Sequence, residues 1–247
     1  MLPADRAALV TGASRGLGAV IARHLAGAGW AVAVGYRFDA ASAERVVAEI
    51  VASGGRARAY GGDITDEAAV GEVVAQASAD LGPVLGIVAN ATGPQPVTPL
   101  DALTWRDHLD QLEFFVKSPT LLVQAAVPAM REHRFGRVIM IGSDMVDRAK
   151  PGWTAYSAAK AAQIGLVRVW ARELGPDGIT VNIVAPGWIP VERHLGADIS
   201  GYLAEVPLGR MGTPQDIAST VGYLCSDAAG FVTAQRITVN GSHTISP

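Results

Sequence analysis

The stretch "AALVTGASRGLGAVIARHLAGAG", Ala7 to Gly29, joins a short apolar run to a segment of helical period through a turn carrying Gly12, Gly16 and Gly18. Such a turn narrows the possible folds sharply. It lets backbone amides at a helix start approach an anion, where the helix dipole also favours negative charge, and it needs a strand before it and a helix after it. The same rhythm then recurs along the chain: "WAVAVGY" followed by "AASAERVVAEIVASG", "RARAYGGDI" by "DEAAVGEVVAQASADLG", and "LGIVANA" by a helical stretch from about Trp105 to His133. "GRVIMIGS" precedes a helix from about Thr154 to Leu174, and "ITVNIVAPG" precedes an irregular segment, 188–213. A helix opened by a Thr-Pro pair, "PQDIASTVGYLCSD", and a strand, "QRITVNGS", close the chain.

This alternation of buried strands and crossover helices predicts one α/β domain over residues 1–247, a Rossmann-type, doubly wound parallel sheet of about seven strands with helices on both faces. The irregular segment follows a strand's carboxyl end, where open sheets bind ligands, and is expected to be a substrate lid. Alanine and other apolar residues make up much of the chain, 49% being hydrophobic, which suits strands buried on both faces.

Composition excludes several classes of function. Net charge is −3 with both signs interspersed, so no basic tract points to nucleic acid. Cys225 is the only cysteine and lies in an apolar run, which argues for a buried structural thiol and against disulfides or a cysteine-based metal site. His24, His108, His133, His194 and His243 lack metal-ligand spacing, and no catalytic metal is expected. The N-terminus lacks signal-peptide character and no apolar run is long enough for a membrane helix, so the expectation is a soluble, cytoplasmic protein without a membrane partner.

The chemistry concentrates in "GSDMVDRAKPGWTAYSAAK", Gly142 to Lys160. Tyr156 and Lys160 are four residues apart at a helix start and so share a face. An ammonium about 4 Å from a phenol contributes roughly 4 kcal/mol at an effective dielectric near 20. That would bring a phenol of pKa about 10 toward neutrality, where it can act as general acid or base. Ser143 follows the fifth strand and offers a hydroxyl to the same site.

At its spacing, "TGASRGLG" resembles the glycine signature of the short-chain dehydrogenase/reductase family, and "YSAAK", the "APG" after the sixth strand and "PLGRMGTPQDIA" extend the resemblance over nearly the whole chain. The resemblance implies Ser143, Tyr156 and Lys160 as catalytic residues: the serine bonds the substrate oxygen, the tyrosine exchanges the proton, and the lysine holds the nicotinamide ribose. It implies a dinucleotide held by Gly12, Ser14, Arg15, Gly16, Leu17, Gly18, Tyr36, Arg37, Asp63, Ile64, Asn90, Ala91, Pro186, Gly187 and Ile189, together with Tyr156 and Lys160. At the end of the second strand, "VGYRFD" offers Tyr36 and Arg37 where NAD-binding enzymes place an acid; Arg37 and Arg15 could grip a 2′-phosphate, which favours NADP(H). Asp39, slightly further on, is the counter-indication.

Within the family the chain most resembles 3-oxoacyl-carrier-protein reductases and polyketide ketoreductases. Four departures stand out. Phe115 occupies the place of the usual asparagine of the catalytic tetrad; Pro119 lies inside the long fourth helix, where it should kink or break it; Val191 replaces a common threonine; and "ANAT" replaces "NNAG". Substrate-lining residues are expected to be Gln95, Asp144, Met145, Trp153, Trp188, Glu192 and His194, with Arg193 beside them. The expectation is an NADPH-dependent reductase that turns a ketone into a secondary alcohol, acting on a small-molecule ketone or an acyl or polyketide-like substrate. A carrier protein is a possible partner: Arg134 could dock it, although Asp177 stands where a second basic residue is expected. Small apolar positions on the fourth and fifth helices resemble the family's subunit interface and imply a homotetramer or homodimer. Two other readings are an NAD-dependent alcohol dehydrogenase and a catalytically decayed dinucleotide-binding regulatory protein.

Overall fold

The computed structural model describes residues 6–192, 196 and 198–245. Seven strands, β1 (Ala7–Val10), β2 (Ala31–Tyr36), β3 (Arg56–Gly61), β4 (Val84–Ala89), β5 (Gly136–Ile141), β6 (Ile179–Pro186) and β7 (Arg236–Val239), form one sheet in the order β3-β2-β1-β4-β5-β6-β7. Every adjacent pair is parallel. The expected doubly wound sheet is therefore present. Its central strands are apolar on both faces, β1, β5 and β6 being buried throughout, whereas the edge strand β3 alternates and β7 is only half-buried.

The helices are α1 (Gly16–Gly27), α2 (Ala40–Ala52), α3 (Glu67–Leu81), α4 (Trp105–Leu112), α5 (Ser118–Glu132), α6 (Met145–Arg148), α7 (Thr154–Leu174), α8 (Ser200–Ala204) and α9 (Pro214–Cys225). On one face α1 packs against α2 and α9; on the other α3 packs on α5, and α4 on α7. Asp39, Asp66, Thr104 and Thr213 cap α2, α3, α4 and α9 through side-chain acceptors, and the last two form capping boxes. The segment 188–213 is not wholly irregular, since it contains α8. Cys225 is fully buried at the end of α9, and burial pushes its thiol up to about 12.

Of the two outcomes expected at Pro119, a kink or a break, the long fourth helix shows no break but an interrupted α-helical ladder. Pro119 does not break it: α4 runs into a π-helical turn, Glu113–Lys117, and continues as α5. The wide turn ends just before the proline, which then occupies the first turn of α5, where its missing N–H matters least. Pro128, deeper in α5, is also accommodated.

Sheet order reverses between β1 and β4, and there the two strand ends are tied together. Thr11 Oγ1 accepts from the backbone N–H groups of Asn90 and Ala91, both at 3.0 Å, while Asn90 Nδ2 donates to the carbonyls of Thr11 (2.9 Å) and Gly12 (3.3 Å). Gly12 and Gly16 have φ of +63° and +56°, a region costly for other residues. A Cβ on Gly18 would fall on the Gly12 carbonyl and lie 2.6 Å from Asn90 Nδ2. Gly27, by contrast, has open space around it. Gly18→Ala is therefore expected to destabilise the protein by about 1–3 kcal/mol or prevent folding. Gly27→Ala should be neutral or gain roughly 0.5 kcal/mol. Thermal melts of the two variants check this, and equal effects would contradict the close approach at Gly18.

Candidate active site

A cleft of about 1520 Å³ opens along the carboxyl ends of the strands, centred on the β1/β4 reversal. Every expected site residue among those described lines it, from Gly12, Ser14 and Arg15 at one end to Trp153, Trp188 and Glu192 at the other. Arg193 and His194 lie outside the described residues.

At the glycine turn, α1 begins without a side-chain cap and without an acidic residue in its first turn, so its N-terminal amides remain available to an anion. Beside it the end of β2 is organised by pairing. Arg37 Nη2 sits 2.6 Å from Asp63 Oδ2, and its guanidinium stacks over the ring of Phe38. Asp39 faces inward to its own helix: its oxygens accept from the N–H (3.0 Å) and hydroxyl (2.6 Å) of Ser42, and these bonds, with Arg45 and Arg15 nearby, hold its carboxyl below the usual range. Asp39 is thus a helix cap, which weakens it as the counter-indication drawn from the sequence. Asn90, expected near a ribose, spends its amide on the first turn while still lining the cleft.

The floor of the cleft is built by β5 and α7. Lys160 is buried, with Nζ donating to the Ile141 carbonyl at 2.6 Å and standing 3.6 Å from the ring centroid of Phe115. Its distance to the centroid of the Tyr156 ring is 5.7 Å. Tyr156 packs edge-to-face between Phe115 (5.4 Å) and Trp153 (5.5 Å). Burial depresses the Lys160 ammonium from 10.5 to about 7. Ser143, at the end of β5, accepts on Oγ from the Met145 N–H at 3.1 Å. Arg236 on β7 clamps the turn behind it, binding Asp147 through two nitrogens and the Ser143 carbonyl at 2.9 Å.

Two features escaped the sequence reading. Asp144, expected to line the substrate, contributes to the cleft wall but is only 2% exposed, and its carboxylate turns to Asn240 Nδ2 (3.3 Å) and His243 Nδ1 (3.6 Å). Burial raises its pKa. His243, read as part of the tail, is packed inside: its ring stacks on Tyr202 of α8 at 4.3 Å and its Nε2 meets Glu205 at 2.9 Å. Tyr202 in turn accepts from the Trp188 N–H at 2.8 Å. The chain's end therefore pins the segment after β6 to the loop that carries Ser143. A Tyr, a Glu and a His separated by some forty residues offer no local periodicity by which this could be read. Among the described residues, no cluster of His, Cys, Asp or Glu is arranged to hold a metal, and no helix is long and apolar enough to cross a membrane.

Comparison with known proteins agrees with this geometry. The family described as Enoyl-(Acyl carrier protein) reductase matches residues 12–244. A 3-oxoacyl-[acyl-carrier-protein] reductase of Staphylococcus epidermidis is 38% identical over 242 residues, covering 96% of this chain and 98% of that protein. Among solved structures, a Serratia marcescens short-chain dehydrogenase/reductase mutant superposes with a TM-score of 0.89 at 33% identity, covering 96% of this chain and 97% of its own. A 3-oxoacyl (acyl-carrier-protein) reductase of Agrobacterium tumefaciens with NADP bound does so with a TM-score of 0.86 at 37% identity, covering 96% and 93%.

The buried lysine makes a stability prediction. An unfolded chain keeps Lys160 protonated up to its ordinary 10.5, whereas the folded protein releases that proton near 7. Between these values the unfolded state binds more protons, so this group's contribution to stability rises with pH across that window, and the full cost of burying the charge is present below it. Lys160→Met should accordingly melt higher than the parent at about pH 6, the gap closing toward about pH 10. A difference in melting temperature that does not vary with pH would contradict the assignment.

Proposed function

Since the chain belongs to the short-chain dehydrogenase/reductase family, we propose that it is an NADPH-dependent reductase converting a ketone, most plainly a 3-oxoacyl thioester or a related specialised-metabolite ketone, into a secondary alcohol. The observation that carries this reading is the placement of Tyr156 and Lys160 on one face of α7 at the floor of the cleft, with Ser143 at the adjoining end of β5.

The residues present fit a phosphorylated dinucleotide. The turn leaves no room for a Cβ at Gly12 or Gly18, Gly16 has a positive φ that disfavours a side chain, and the uncapped start of α1 supplies donors. Arg15 and Arg37 border the cleft near the end of β2, and the nearby acid, Asp39, is committed to Ser42. Asp63 and Ile64, which line the cleft past the end of β3, would hold the adenine, and Pro186, Gly187 and Ile189, which line it at the end of β6, the nicotinamide. NADPH supplies the hydride when bound. Ser143 then orients the substrate oxygen, Tyr156 donates its phenolic proton to that oxygen, and the Lys160 ammonium favours the phenolate that remains. Gln95, Met145, Trp153, Trp188 and Glu192 border the space left for the substrate body, and the segment 188–213 acts as its lid.

The relatives named for carrier-linked substrates raise the question of docking. Here Asp177 binds Arg131 at 3.0 Å and approaches Arg134 at 3.9 Å, while Arg134 also donates to the Pro176 carbonyl. These internal pairings reduce the basic surface that an acidic carrier would meet and favour a free thioester or ketone as substrate. Trp105 on α4 and Val169 on α7 are largely exposed, which supports a homodimer or homotetramer built on these helices.

Purified protein should oxidise NADPH on addition of acetoacetyl thioesters or cyclic ketones. Tyr156→Phe should lower kcat by about 10²–10⁴. Tighter binding of NADH than NADPH, or full turnover by Tyr156→Phe, would sink the proposal.

A further inference from the structure

The Lys160 ammonium is held in an unusual way. It has three N–H donors to satisfy. One goes to the Ile141 carbonyl, and the other side of the group faces an aromatic ring rather than a carboxylate or an amide: Phe115 lies with its centroid 3.6 Å from Nζ, nearer than Tyr156 at 5.7 Å. Phe115 is itself only 3% exposed, and it sits at the middle of the π-helical turn Glu113–Lys117, which sets its position relative to α7. A ring face attracts a cation most where water is excluded, and this one is excluded from water.

We propose that Phe115 is a positioning residue for the reaction: its ring face holds the Lys160 ammonium, and its perpendicular packing on Tyr156 fixes the angle of the phenol beside that charge. The inference rests on reading Tyr156 and Lys160 as the proton-transfer pair. It assigns the π-helical turn a purpose, which is to carry an aromatic ring into the space beside Nζ. It also changes what Lys160 does. An apolar ring passes no proton, so on this side no hydrogen-bond chain feeds the amine, and Lys160 acts on Tyr156 through its charge for as long as it keeps its own proton.

Among the described residues, Nζ meets the Ile141 carbonyl from β5, the Phe115 ring from the π-helical turn and the Tyr156 ring from its own helix, and of these three Tyr156 alone carries a titratable group. Burial is the cause of the depressed affinity of Lys160 for its proton, and the ring opposes it. Weakening the ring's quadrupole must therefore make Lys160 lose its proton at lower pH.

The test replaces Phe115 with mono-, di- and trifluorophenylalanine, which keep the shape and progressively remove the negative face, alongside Phe115→Tyr, which keeps it, and Phe115→Leu, which deletes it. Lys160 is titrated directly by NMR in ligand-free protein labelled at lysine Cε, with Lys160→Met assigning the signal. The midpoint should fall stepwise through the fluorinated series, by about one pH unit at the trifluoro member, fall further in Phe115→Leu and stay near the parent in Phe115→Tyr. The high-pH limb of NADPH consumption should move down in parallel. A Lys160 midpoint unchanged across the fluorinated series overturns the proposal, and so does a midpoint that moves while the rate profile stays still. Should Phe115→Leu fail to fold, the near-isosteric fluorinated series still decides. The NMR titration needs no turnover, so absence of any reducible substrate would defeat the proposed function while leaving the ring–ammonium contact separately measurable.

Discussion

The fold hangs on the clasp between the ends of β1 and β4. Thr11 and Asn90 exchange backbone and side-chain bonds across the point where strand order reverses, and Gly18 approaches so closely that its missing Cβ is what permits the contact. Everything in the cleft is referenced to that point. α1 starts from it, β4 ends at it, and β5, the next strand outward, delivers Ser143 one strand away. A polar knot at a sheet's carboxyl edge satisfies groups that neither strand can pair once the ladder opens, so it closes the sheet and shapes the cleft with the same bonds.

The cleft floor shows a different balance. Lys160 is buried with a carbonyl and a ring for company, whereas Asp144, three residues past the β5 end that supplies that carbonyl, is buried with an asparagine, a histidine and a nearby arginine. Each is a charge taken out of water without a close, full ion pair. Such placements are costly and are tolerated where the surrounding elements over-determine them. Here the constraints are visible: α7 fixes Lys160 from below, and the Arg236–Asp147 pair and the inserted tail fix the loop around Ser143 and Asp144.

Much of this was legible in the chain. Strand and helix periods, the glycine turn and the four-residue spacing of Tyr156 and Lys160 are local patterns, and each was found where its period placed it. What escaped was long-range or depended on backbone geometry. His243 looks like a tail residue because the residues it meets, Tyr202, Glu205 and Asp144, are remote in sequence. Asp39 looks like a ribose ligand until Ser42, three residues on, turns it into a cap. Pro119 looks like a helix breaker because proline rules assume an α-helical ladder, and the ladder there had already widened into a π turn.

That turn has a consequence for how relatives are compared with this chain. A π turn adds a residue to the winding, so α4 and α5 are one continuous rod whose two ends are out of phase. No single α-helical wheel describes 105–132, because its winding changes at Glu113–Lys117. Residues at equal α-helical spacing on either side of the turn therefore face different directions. Correspondences across it are therefore a matter of which atom sits beside which in space, and counting letters along the chain is a poor guide to them.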